Sequence, residues 1–155
     1  MFVCKRDIKL KRAVLPKLWA WIFLVLLALL DSFLDMFFAA NSGLKSFFWQ
    51  PIAEFTGIKY APLIVPFLLI IFFILVKFGA FLEKKIEKVN KAEELILTTL
   101  VVTYGLFNIW LISVYLFKFS LFRNPLYLIP VLIVVAMAYA WWAERILKKE
   151  KVNKK

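Results

Sequence analysis

The sequence predicts an all-α, polytopic membrane protein, a bundle of four transmembrane helices with both termini cytoplasmic. Three observations carry this prediction. The 155-residue chain is 64% hydrophobic, whereas a soluble domain is usually about 45–50% apolar and a fold this small cannot hide so much Leu, Ile and Phe from water. Its apolar residues gather into four runs, 18–40, 61–82, 95–117 and 126–143. Each approaches the roughly 20 residues that a helix rising ~1.5 Å per residue needs to cross about 30 Å of hydrocarbon. The Lys and Arg residues are also sorted: six in the N-terminal tail, four in the second connection and six in the C-terminal tail, against two in each of the first and third connections. Basic residues concentrate on the cytoplasmic side, which places both tails and the second connection there.

The chain divides into a basic tail (1–17), a transmembrane domain (18–143) and a second basic tail (144–155). The first tail and the run after it resemble a secretory signal. However, the run is longer than a signal's apolar core, it contains Asp31 and Asp35, and Phe38 spoils a small-residue cleavage site before Asn41. It therefore reads as an uncleaved first helix. Residues 41–60 connect the first two spans. Leu44, Phe47, Phe48, Trp49, Ile52 and Phe55 lie there among polar residues, as in a short amphipathic segment at the membrane interface or a lid over a cavity.

The second span starts near Pro62, and Pro66 one turn further should bend it. Its Lys77 either snorkels to the interface or pairs with a membrane Asp. Residues 83–94 are too polar for lipid, so the flanking helices should project beyond the bilayer and turn near Asn90, with Glu87 and Lys91 at helical pairing distance. The third span aligns Tyr104, Asn108 and Tyr115 on roughly one face. A turn at 118–125 leads to the fourth, where Ala136, Ala140 and Ala143 offer small-residue packing, and Trp141 and Trp142 mark the interface.

The functional question centres on Asp31 and Asp35. A carboxylate in a membrane helix costs roughly 2.5–3.5 kcal/mol or more on insertion scales, so it must face protein or water. Their i, i+4 spacing puts both on one helix face, widened by Ala28, Ser32 and Ala39 into a small, polar stripe. Asp31 and Asn108 each lie 13 residues into their spans, at a common depth of ~20 Å. Asp31, Asp35, Tyr104, Asn108 and Tyr115 should thus form one polar cluster in the outer half of the bundle, unless Asp35 reaches the outer headgroups. Lys77 is the candidate charge partner, but it lies ~11 Å from Asp31 along the axis, level with residues 21–23.

Two resemblances rest on these residues. The segment LLDSFLD followed by QPIAEFTG resembles a family of small, uncharacterised prokaryotic membrane proteins that carry an Asp in the first helix, a Thr one turn on, and then an Asn-Pro and a Gly in the loop. Here Asp31 matches, Asp35 stands for the Thr, Gln50-Pro51 for the Asn-Pro, and Gly57 matches. That resemblance implies no activity. Asp31, Gly43, Trp49 and Pro51 are similar to the first helix of small multidrug-resistance transporters. This implies a carboxylate at Asp31 that binds protons and cationic drugs.

Composition narrows the function classes. The chain has no His and one Cys, Cys4, so there is no intramolecular disulfide, no Cys-x-x-Cys motif and no imidazole to ligate a metal or move a proton. No nucleophile–base set, Gly-rich phosphate loop or metal-ligand spacing occurs, and neither a cofactor nor a metal is expected. The net charge of +11 sits beside apolar spans. It therefore points to orientation and to anionic lipid headgroups at the tails rather than to nucleic acid. The expected protein is a multi-pass, non-enzymatic structural or interaction subunit of the cell membrane that self-associates or joins another membrane subunit. In this reading, Asp31 and Asp35 fix helix packing or partner contact. The alternative is a proton- or cation-coupled channel or carrier that uses the same two residues.

Overall fold

A helix in lipid needs to bury only the stripe that faces its neighbours, and the buried positions here follow such stripes. The computed structural model describes residues 14–39, 54–55, 57, 61–86, 91–118 and 125–152. Helix α1 spans Lys17–Leu34 and continues as a π-helical segment, Asp35–Ala39. Helix α2 spans Ala61–Ile86, α3 Ala92–Phe117 and α4 Pro125–Val152. No strand occurs among the described residues. All four helices are long and apolar enough to cross a membrane.

On α1 the buried residues include Ala20, Leu24, Ala28, Asp31 and Ser32; on α2 they run Ile64, Val65, Leu68, Phe72, Val76 and Ala80. Steps of three or four residues keep each series on one face. On α3, Leu95, Thr98, Tyr104, Phe107, Asn108, Leu111, Val114 and Tyr115 do the same. These three helices pack against one another around a core of Leu24, Ala28, Ile64, Leu68, Phe72, Phe107 and Leu111. Helix α4 packs chiefly on α3. Only 6% of its apolar window is buried, against 28–39% for the other three helices, so α4 flanks a three-helix core.

The helices run past the apolar boundaries. Helix α2 continues beyond Leu82 to Ile86, α3 begins before Leu95 at Ala92, and α4 continues beyond Ala143 to Val152. The end of the hydrocarbon does not end a helix, because Glu, Lys and Arg are good helix formers in water. Glu93 and Glu94 lie in the first turn of α3, where the helix dipole favours acidic groups. Helix α3 stops at Lys118, which adopts a left-handed conformation (φ 51°) and donates its N–H to the Ser113 carbonyl. Pro125, read from sequence as part of the turn, is instead the first residue of α4, where its missing N–H is no loss.

Helix α2 runs uninterrupted through Pro66. The carbonyl that this proline frees belongs to Pro62, in the first turn. The expected interfacial segment and lid at 41–60, apart from helical Glu54 and Phe55 and the residue Gly57, lies outside the described residues, as do the turn near Asn90 and the Glu87 partner of Lys91. Lys91 itself lies 3.7 Å from Glu94.

Candidate functional site

Helices α1 and α3 run parallel, separated in sequence by the returning α2. Their register is fixed at the lower end, where the Leu15 N–H donates to Thr98 Oγ1 at 3.0 Å and Lys17 meets Glu93 at 2.8 Å. Asp31 then lies ~21 Å above Lys17, and Asn108 ~22 Å above Glu93, by helical rise. The shared depth read from sequence therefore corresponds to a shared layer.

In that layer Tyr104 donates its hydroxyl to Asp31 Oδ2 at 2.5 Å, and Tyr115 donates to Asp35 Oδ1 at 2.5 Å. The two tyrosines are eleven residues apart on α3 and their acceptors only four apart on α1. The phenol arms converge because Tyr104 bonds the first carboxylate and Tyr115 the second. Asp31 is 1% exposed and Asp35 8%, so both carboxylates are buried against the protein. Short bonds to carboxylates of this kind are the stronger class of hydrogen bond.

Aromatic packing holds the arms. Tyr104 stacks on Phe107 at 6.0 Å between ring centres and meets Phe72 of α2 edge-on at 5.4 Å; Tyr115 stacks on Phe38 at 6.2 Å. Asn108, 1% exposed, donates its Nδ2 to the Tyr104 carbonyl at 3.0 Å. Ser32 turns its hydroxyl to the Leu29 carbonyl at 3.0 Å. Asp31 and Asp35 are therefore bonded across the α1–α3 interface to Tyr104 and Tyr115, and Asn108 is bonded to its own helix.

Lys77 does not join them. Its ammonium lies 2.7 Å from Glu93 Oε1, the same oxygen that Lys17 approaches at 2.8 Å, and 5.6 Å from the Phe73 ring centre. The reason is depth: Lys77 sits near the lower end of α2, where the start of α3 supplies a nearer carboxylate. The resulting Lys17–Glu93–Lys77 triad, which ties α1, α2 and α3 at one end, was not anticipated. Three marks in the sequence point to it: a lone Lys inside the second span, a Lys just before the first, and a Glu just before the third. The side chains are partly exposed, which limits the triad to the modest strength of a surface network.

The π-helical segment beginning at Asp35 also went unseen in the sequence. There the N–H of Asp35 is shared between the carbonyls of Asp31 and Ser32, the branching expected where α-helical bonding gives way. No residue type in Asp35–Ala39 announces it. Such segments occur often at functional sites.

The layer is chemically a set of oxygens: two carboxylates, two phenols, one amide and one hydroxyl. It can hold protons or cations and can lock two helices. Among the described residues, no group of three or more His, Cys, Asp or Glu is assembled for a metal ion. The chain matches no protein-family model, no curated protein and no solved structure, so the reading of this layer rests on its own geometry.

Proposed function

We propose that this chain is a non-enzymatic structural or interaction subunit, multi-pass in the cell membrane, that assembles with copies of itself or with another membrane protein. The observation that supports this most is the pair of Asp–Tyr bonds between α1 and α3. They engage both membrane carboxylates in contacts inside one chain, which favours a packing role for Asp31 and Asp35 over partner contact. The same bonds satisfy groups that would otherwise have to be covered by neighbouring subunits. Assembly then falls to the outward faces, and α4 offers the largest, with Ala136 and Ala140 half-buried on the side of its core contacts. Both termini face the cytoplasm in this reading, with the tails against anionic headgroups.

Mass measurement in mild detergent and in lipid nanodiscs tests the assembly: a mass above that of one chain is expected, and a monomer in both settings refutes it. Asp31→Leu should lower the melting temperature, and an unchanged melting curve would remove the packing role. Orientation is tested by single-cysteine labelling in a Cys4→Ser background. A residue within 83–94 that is labelled from outside intact cells overturns the topology.

A further inference from the structure

The buried layer leaves the amide oxygen of Asn108 without a hydrogen bond. Asn108 is 1% exposed, and its Oδ1 has no hydrogen-bond partner, an arrangement that proteins rarely leave unmet. Asn108 follows Tyr104 by one turn and precedes Tyr115 by two. Its side chain therefore lies on the α3 face that meets Asp31 and Asp35, between the two tyrosine contacts. Its Nδ2 points back to the Tyr104 carbonyl, which turns Oδ1 the other way.

The nearby described donors are already engaged. The Tyr104 and Tyr115 hydroxyls donate to the carboxylates, and the Ser32 hydroxyl donates to Leu29. The indole N–H of Trp110 is also unmet, but two residues along a helix put it some 200° round, on the far side of α3. No described residue donates to Asn108 Oδ1, and what meets it must be a donor or a cation. Asp31 lies at its level and Asp35 one turn further along α1, and carboxylates beside the oxygen favour a cation over a neutral donor. The ligands are all hard oxygens. Calcium would want six to eight oxygens, and the described residues assemble no third acidic group here; magnesium dehydrates reluctantly and keeps several waters, which suits a buried layer poorly.

We propose that this layer binds one small, hard monovalent cation of the sodium class, held by Asn108 Oδ1 together with the Asp31 and Asp35 carboxylates. The cation joins α1 to α3 beside the two Asp–Tyr bonds. It is a bound component of the packed layer and does not require transport.

The experiment is equilibrium binding of radioactive sodium to the full chain in mild detergent. Sodium is varied against N-methylglucamine at fixed pH and ionic strength, and a melting curve is recorded at each point. Expected are saturable uptake of about one ion per chain and a melting temperature that rises with occupancy, as linkage requires. Asn108→Leu, similar in size and suited to a membrane helix, should melt cooperatively yet bind sodium about tenfold or more weakly, the loss typical of one ligand to a charge. Glu93→Gln, far from the layer, should bind as wild type does. The proposal is overturned by absence of saturable uptake in wild type, by undiminished uptake in Asn108→Leu, or by loss of uptake in Glu93→Gln, which would move the ion to the lysine triad. A melting temperature that follows pH and ignores sodium also overturns it, because a proton or a water would then meet the oxygen. If Asn108→Leu fails to fold, the wild-type uptake measurement alone decides.

Discussion

The Tyr104–Asp31 bond can be isolated from everything around it. Tyr104→Phe removes one oxygen and leaves the ring in place, so the stack on Phe107 and the edge contact with Phe72 survive. What is lost is the hydroxyl that reaches Asp31 Oδ2 at 2.5 Å. A hydrogen bond to a charged group contributes about 1.5–3 kcal/mol in soluble proteins. Between membrane helices the average falls to ~0.6, with a maximum near 1.7, because chains unfolded in the membrane also find partners. Asp31 is 1% exposed and the bond is short, which places the pair near the top of the membrane range, at about 1.5 kcal/mol. The assay is a double-mutant cycle of Tyr104→Phe with Asp31→Ala, with unfolding measured in bicelles by a titrated denaturing detergent. The cavity left by Asp31→Ala is present on both sides of the cycle and cancels, leaving the pairwise coupling. A coupling below about 0.3 kcal/mol, within the error of additivity, would refute the view that this contact holds α1 to α3.

Other perturbations separate the two ends of the bundle and test its closest packing. Glu93→Gln leaves Lys17 and Lys77 facing one another without their shared anion. Because these side chains are about half exposed, the loss should stay below ~1 kcal/mol and shrink as salt is added; a large, salt-independent loss in a melting series would contradict the geometry. At Gly105 an added Cβ meets only Leu27 Cδ1, at 3.9 Å. Gly105→Ala should therefore keep or raise stability, by up to ~1 kcal/mol from helix propensity, and a clear drop in melting temperature would show tighter packing than the structure has. At Gly79 an added Cβ comes within 2.8 Å of Ile96 Cδ1. Ile96 can swing its terminal methyl for Gly79→Ala at a cost of ~1 kcal/mol, but Gly79→Leu should push α2 from α3 and lower stability distinctly more in the same melting assay.

The spans were legible because lipid imposes a simple rule of length and polarity, and because the Asp and Tyr residues break that rule visibly. Depth arithmetic from helical rise was enough to bring Asp31 and Asn108 to one level, and two parallel helices of similar start made the estimate hold. The same arithmetic already separated Lys77 from Asp31. It did not name Glu93 as the partner, because Glu93 lies in a stretch so polar that it read as solvated loop. The projection of α2 and α3 beyond the hydrocarbon was expected, but the continuation of α4 through the basic tail to Val152 was not: hydropathy reports the solvent, whereas the backbone hydrogen bonds that define a helix continue into water. The π-helical segment after Leu34 was invisible, since nothing in Asp-Met-Phe-Phe-Ala sets it apart from an α-helical run. That α4 flanks the core also escaped notice, because hydropathy does not tell a lipid-facing surface from a protein-facing one: α4 is the least apolar of the four spans and also the least buried.

The placement of the polar contacts has a mechanical consequence. Helix α1 is fastened to α3 at Lys17 and again at Asp31 and Asp35, two positions more than 20 Å apart by helical rise. A rod fixed at both ends can neither pivot nor roll, so these two helices behave as a single beam. On α2 the polar fastening at Lys77 lies near the lower end; above it the buried residues Ile64, Leu68 and Phe72 make apolar contacts, which allow sliding, and the upper end carries Pro66. If any helix of this bundle swings, the lever is α2, its fulcrum is the lysine triad, and the opening arm lies at the level of Phe72, where the ring of Tyr104 rests against it.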